Sequence, residues 1–104
     1  MDSQMKKGML EYCVLAVLTK GDSYGYQIIK DVSACVHISE STLYPILRRL
    51  EKESCLETYS VAHNGRLRKY YRITAAGKQA IRDFLRDWEQ VMNIYHLIEE
   101  ADLE

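Results

Sequence analysis

The sequence predicts an α+β fold, mostly helical, in which three helices precede a two-stranded hairpin and one long helix closes the chain. Three observations predict it. Apolar residues recur at helical spacing in four stretches. An Asn64-Gly65 pair lies between two β-prone runs, the strongest short signal for a hairpin. No proline or glycine interrupts the chain between Lys78 and Ala101. The bulk figures agree with a folded domain: 104 residues, 47% hydrophobic, 28% charged, five Gly and one Pro.

The first helix is expected from about Lys6 to Lys20, with Met9, Leu10, Cys13, Val14, Val17 and Leu18 on its apolar side. Gly21-Asp22-Ser23 stops it, and Ser23 offers an N-cap for a second helix from Tyr24 to about Ala34. Tyr26, Ile28, Ile29 and Val32 are expected to face inward there, and Val36-His37-Ile38 to form a short extended piece. The run Ser39-Glu40-Ser41-Thr42 offers caps for a third helix ending near Glu53, with a buried stripe of Leu43, Ile46, Leu47 and Leu50. Pro45 fits if this helix starts at Thr42 or just before, because a proline in the first turn sacrifices no ladder bond. Leu56–Val61 and Arg68–Ile73 read as the strands of the hairpin, and Thr74 as the cap of a last helix from Ala75 to about Ala101. A helix-turn-helix followed by a β-hairpin is a winged-helix arrangement.

The last helix lacks a home in one subunit. Ile81, Leu85, Trp88, Met92 and Tyr95 repeat at alternating steps of four and three, a heptad seam that Phe84, Val91, Ile94 and Ile98 widen. A helix of about 27 residues extends roughly 40 Å, longer than a domain of about 70 residues is wide. Its far half is therefore expected to pack on a second copy of the chain, with Met9, Ile81, Leu85, Trp88, Met92 and Tyr95 in the interface. The division expected is residues 1–73 as one unit and 74–104 as a dimerisation helix.

The net charge of −1 hides an asymmetry: residues 1–73 carry 11 Lys+Arg against 8 Asp+Glu, and residues 74–104 carry 3 against 7. Arg66, Arg68, Lys69 and Arg72 stand with Tyr70 and Tyr71 in a stretch free of acids. On a two-stranded ribbon such residues suit phosphate oxygens and a minor-groove approach, although a basic hairpin can also serve only as a solvated edge. On the third helix Ser41, Thr42, Tyr44, Pro45, Arg48 and Arg49 lie opposite the buried stripe, where a recognition helix meets base edges in the major groove. The free N–H groups where the second helix begins, at Ser23 and Tyr24, add a candidate phosphate anchor.

Other classes fit poorly. The longest apolar run, Tyr12–Leu18, is too short for a membrane span, and no signal-peptide cleavage pattern follows Lys6-Lys7. Cys13, Cys35 and Cys55 are odd in number and far apart, which argues for buried or half-buried thiols in a reducing cytoplasm rather than disulfides or zinc. His37, His63 and His96 have no catalytic partner at a working spacing, so neither an enzyme nor a metal-sensing regulator is expected, and no cofactor. A winged helix that binds only other proteins stays open as the alternative.

Three stretches carry a family resemblance: Gly21-Asp22-Ser23-Tyr24-Gly25-Tyr26-Gln27-Ile28, Ser41-Thr42-Leu43-Tyr44-Pro45-Ile46-Leu47-Arg48-Arg49-Leu50-Glu51, and Gly65-Arg66-Leu67-Arg68-Lys69-Tyr70-Tyr71-Arg72-Ile73-Thr74. The sequence resembles the PadR family of transcriptional regulators in its short form with a single C-terminal helix. The resemblance implies a homodimeric winged-helix repressor on double-stranded DNA with an inverted-repeat operator, released in several members by a small molecule. It also implies that the last helix packs on the partner's first helix. In members of the multidrug-sensing LmrR type a tryptophan at the position of Trp88 faces its symmetry mate across a pore and stacks on flat aromatic or phenolic ligands. By that likeness Met5, Gly8, Tyr12, Trp88 and Met92 would line the pore, although Trp88 and Met92 can equally be plain interface core. The family usually ends its recognition helix with glycine where Ser54 stands here. Serine lacks glycine's freedom at positive φ, which argues against a sharp cap at that point.

Overall fold

The computed structural model describes residues 3–104, with side chains from Met5 onward. Helix α1 (Ser3–Leu18) runs through the middle of the molecule, with Leu10, Val14, Leu15 and Leu18 buried and Met9, Cys13 and Val17 half-buried. It ends two residues before the expected Lys20 because Thr19, Lys20 and Gly21 donate to the carbonyls three residues behind them. Gly21 then takes φ 148°, a conformation that side chains disfavour, and the chain reverses.

Ser23 does not cap a helix: it stands in a two-residue strand β1 (Ser23–Tyr24), antiparallel to a later strand, with Ser23 opposite Tyr71 and Tyr24 opposite Tyr70. Helix α2 (Gly25–Ser33) starts directly after it from an extended Tyr24 whose side chain makes no capping bond. Ile28 and Val32 are buried and Ile29 is half-buried, but Tyr26, expected inward, is 65% exposed. Gly25 holds the buried position at that end of the helix, so the ring of the next residue turns outward. The segment Val36-His37-Ile38 forms no strand; it threads Ile38 into the core as plain connector.

Helix α3 (Glu40–Lys52) buries Leu43, Ile46, Leu47 and Leu50 as expected. It begins earlier than Pro45 suggests, with Ser39 extended before it, so Pro45 falls in the second turn. A proline there has no N–H for the Ser41 carbonyl, which is left as an acceptor on the exposed side of the helix. The far end is also sharper than expected. Ser54 adopts φ 63°, its N–H bonds to the Glu51 carbonyl at 3.0 Å, and the Cys55 N–H reaches the Leu50 carbonyl at 2.9 Å. Those two bonds are a Schellman cap, with buried Cys55 packed beside Leu50. Serine here accepts the cost that glycine would avoid, and its carbonyl is repaid by a 2.7 Å hydrogen bond from the Thr74 hydroxyl.

Strands β2 (Leu56–His63) and β3 (Arg66–Ile73) run two residues further toward the turn than the sequence signals suggest. They pair in register from Leu56–Ile73 to His63–Arg66 around a two-residue turn with φ 51° at Asn64 and 77° at Gly65. Two positive φ values define a type I′ turn, the form whose twist matches the strands. The sheet order is β1-β3-β2. Helix α4 (Ala75–Glu99) is capped as expected, the Thr74 hydroxyl accepting from the Gly77 N–H at 3.1 Å. Gly77 is required by close approach, since a Cβ there would stand 2.5 Å from the Cys55 carbonyl oxygen and 2.7 Å from Ile73 Cγ1.

Ala80 and Ile81 pack on the core, and Phe84 stacks on Tyr12 of α1 at 4.1 Å between ring centroids. Beyond that point α4 leaves the body. The radius of gyration is 16.4 Å, against about 13 Å for a compact chain of this length. Of the three thiols Cys55 is buried, Cys13 half-buried and Cys35 exposed, which corrects the expectation for Cys35. Burial pushes both Cys13 and Cys55 above the usual thiol range. No helix among the described residues is long and apolar enough to cross a membrane.

Candidate nucleic-acid interface

Because α3 turns its four large apolar residues inward, its polar residues share the opposite side. Ser41, Tyr44, Pro45 and Arg48 are exposed and line one shallow cleft together with Glu40. Thr42 is half-buried, its hydroxyl 3.2 Å from Ser39 Oγ, and lines a neighbouring cleft that also takes in Lys6, Lys7 and His37. Glu40 occupies the first turn, where the positive end of the helix dipole favours a carboxylate. Tyr44 lies across Gly25, its hydroxyl occupying the space a side chain there would take, so a larger residue at the start of α2 would displace the Tyr44 ring.

Arg49 does not share the Arg48 face. Its guanidinium donates to Glu11 of α1 at 2.8 Å and to Glu53 at 3.2 Å, and these carboxylates hold it above its ordinary range. Ser23, expected at the interface, is 8% exposed, and its Oγ has no hydrogen-bond partner among the described residues. Arg49 is thus exposed on α3 but held by two carboxylates, while Ser23 lies buried in β1.

The pleat of β3 divides the basic wing. Side chains alternate across a sheet, so Arg66, Arg68, Tyr70 and Arg72 share one face and Leu67, Lys69, Tyr71 and Ile73 the other. Tyr71 is buried beneath the wing, and burial first, then the nearby Tyr44, push its hydroxyl above the ordinary range. Lys69 is exposed on that same face and lines a cleft with Tyr26, Tyr44 and Tyr71, between the wing and α3, whose rim also takes in Tyr24 and Arg68. Tyr26 thus joins the candidate surface, although counting it as apolar had hidden it.

On the opposite face the aromatic residues and the cations interleave. The Arg68 guanidinium sits 4.0 Å over the Tyr24 ring, Tyr24 meets Tyr70 edge-on at 5.6 Å, and Tyr70 stacks on Tyr59 at 5.6 Å. Arg72 lies 5.0 Å over Tyr59 and donates to Asp22 at 3.1 Å. The Tyr59 hydroxyl donates to the same Asp22 oxygen at 2.6 Å. That bond, and after it Arg72, hold the Asp22 carboxyl below the usual carboxylate range. Arg66 stands exposed beside the Asn64-Gly65 turn.

The residues expected in an interface between subunits lie along α4 and α1. Ile81 packs on its own core, Met9 and Trp88 are half-buried, and Leu85, Met92 and Tyr95 are 57%, 37% and 52% exposed. Val91, Ile94, Leu97 and Ile98 are exposed too. Of the residues expected to line a pore, Tyr12 stacks on Phe84 and Phe84 on Trp88 at 5.6 Å. Trp88 and Met92 line an open cleft of about 660 Å³ on α4, while Met5 and Gly8 are exposed on α1.

Three helices, a hairpin whose far strand pairs with a short strand before α2, and polar residues lined along the outer side of α3 define the winged helix-turn-helix class. Residues 14–83 match the model of the transcriptional regulator PadR-like family. The chain belongs to that family and is a transcriptional regulator. It is 36% identical over 105 residues to uncharacterized protein X of Lysinibacillus sphaericus, with 95% of each chain covered. It is 29% identical over 82 residues to the negative transcriptional regulator PadR of Bacillus subtilis, covering 74% of this chain and 45% of that one. The PadR family transcriptional regulator of Eggerthella lenta superposes with a TM-score of 0.85 at 29% identity, over 95% of this chain and 88% of that structure.

Proposed function

We propose that the chain is a homodimeric repressor that sets α3 in the major groove of an inverted-repeat operator. The observation that carries this reading is the exposed row Ser41, Tyr44, Pro45 and Arg48, with Lys69 of the wing facing the same cleft as Tyr44. Arg48 has the reach to take guanine bidentately, and Tyr44 and Ser41 to meet base edges. Lys69 and Arg66 then hold phosphates and fix the register without reading sequence. In this reading residues 1–73 recognise DNA and residues 74–104 assemble the dimer. The exposed apolar side chains of α4 support the second half, since burying them at ~1.5–3 kcal/mol each is ample for a stable pair. Repression, rather than activation, draws on the Bacillus subtilis relative, which is named a negative regulator.

A gel shift on a duplex from upstream of the chain's own gene tests the reading. Binding should weaken steeply with salt, the logarithm of the affinity falling by about 0.9 per neutralised phosphate for each unit in log salt. Lys69→Ala should weaken all duplexes alike and reduce that slope by about one, whereas Arg48→Ala should relax sequence preference. Binding that ignores salt, or two variants that behave alike, would overturn it.

The aromatic run Tyr12–Phe84–Trp88, opening onto the cleft that Trp88 and Met92 line, supports an effector site for flat aromatic or phenolic molecules where two subunits meet. Titrating such compounds should quench Trp88 fluorescence and change DNA affinity in parallel.

A further inference from the structure

We infer that Asp22 is a positioning residue for the wing, and that Arg72, although part of the basic hairpin, serves this clamp and not a phosphate. The inference rests on the functional reading above and adds a part to it. Asp22 lies in the turn between α1 and β1, in neither the hairpin nor α3. One of its oxygens, Oδ2, receives the Tyr59 hydroxyl from β2 at 2.6 Å and the Arg72 guanidinium from β3 at 3.1 Å. Since the sheet order is β1-β3-β2, a single carboxylate spans the sheet and ties its outermost strand to the helical body.

The need for such a tie follows from the topology. Strand β1 is two residues long, so the ladder that joins the hairpin to the turn before α2 is short. The strands of the hairpin reach about 26 Å, and a small rotation at the base becomes a large displacement at Arg66 near the tip. The clamp acts at the base, on the face opposite Lys69, and the Arg68–Tyr24–Tyr70–Tyr59–Arg72 layer stiffens that face along its length. Exposed ion pairs add little to global stability, so the consequence belongs to orientation. The Arg72 guanidinium is also committed, with a carboxylate at hydrogen-bond distance and its plane on Tyr59.

Simple electrostatics and the clamp predict opposite signs. Removing an acid beside a DNA-binding face should raise affinity if only charge matters. With the clamp, Asp22→Ala lowers affinity for the upstream duplex by about three- to tenfold, and Arg72→Ala lowers it by the same factor. The double variant is no weaker than either single, and all three keep the wild-type salt slope because no phosphate contact is lost. Tyr59→Phe removes one hydroxyl and leaves the ring in place; it shows the same loss in smaller measure and guards against a variant that fails to fold. Higher affinity for Asp22→Ala, or a slope about one unit shallower for Arg72→Ala, overturns the clamp while the wider reading stands. If the unmodified protein shows no salt-dependent binding, both fall.

Discussion

The body of the molecule and the outer half of α4 are built from similar residues and end in opposite states. On α3, Leu43, Ile46, Leu47 and Leu50 are at most 2% exposed, whereas on α4 Leu85, Ile94, Tyr95 and Ile98 are all more than half exposed. Both stripes repeat at helical spacing. What separates them is a facing surface: α3 has α2 and β2 against it, whereas α4 has α1 against it at Phe84 and leaves the body beyond that point. An apolar stripe states that something must cover it, and the topology decides whether the same chain can.

The largest expected effect comes from testing that contrast directly. Leu85→Asp combined with Met92→Asp should turn a dimer into a folded monomer, weakening association at least about a thousandfold, since four side chains per dimer each lose ~1.5–3 kcal/mol of burial. Sedimentation with an unchanged helical circular dichroism spectrum checks it; an unmodified protein that sediments as a monomer would erase the contrast. Gly77→Ala should act on the junction between the regions. Its new methyl meets the Cys55 carbonyl and Ile73, so destabilisation of about 1–3 kcal/mol is expected in thermal unfolding. A neutral result would show that α4 can shift without disturbing the body. The smallest effect concerns reactivity. In the native protein Cys35 should be labelled promptly by a bulky thiol reagent, while Cys13 and Cys55, shielded and raised by burial, should lag by at least about tenfold. Equal labelling of all three would mean that the body opens readily.

Periodicity and turn chemistry made most of the architecture legible: the stripe of α3, the Asn64-Gly65 turn and the Thr74 cap are local patterns with local causes. What escaped was set by residues distant in sequence. The strand at Ser23–Tyr24 exists only because Tyr70 and Tyr71 come alongside it. Arg49 and Arg72 look as free in the sequence as Arg48, yet Glu11 and Asp22 claim them from 38 and 50 positions away. A run of positive residues therefore marks a surface without saying which of its members remain available. Ser54 teaches the complementary lesson, for a residue poorly suited to positive φ took that conformation because two backbone bonds and Thr74 over-determine it.

The contact between Gly77 and the Cys55 carbonyl has a consequence for scale. It fixes the direction in which α4 departs, and a rod about 37 Å long turns an error of five degrees at its base into a displacement of about 3 Å at its tip. In the proposed dimer that displacement applies to both subunits and moves the two copies of α3 relative to one another. One missing methyl group would thus act as a gauge, setting the separation of half-sites that the pair can span.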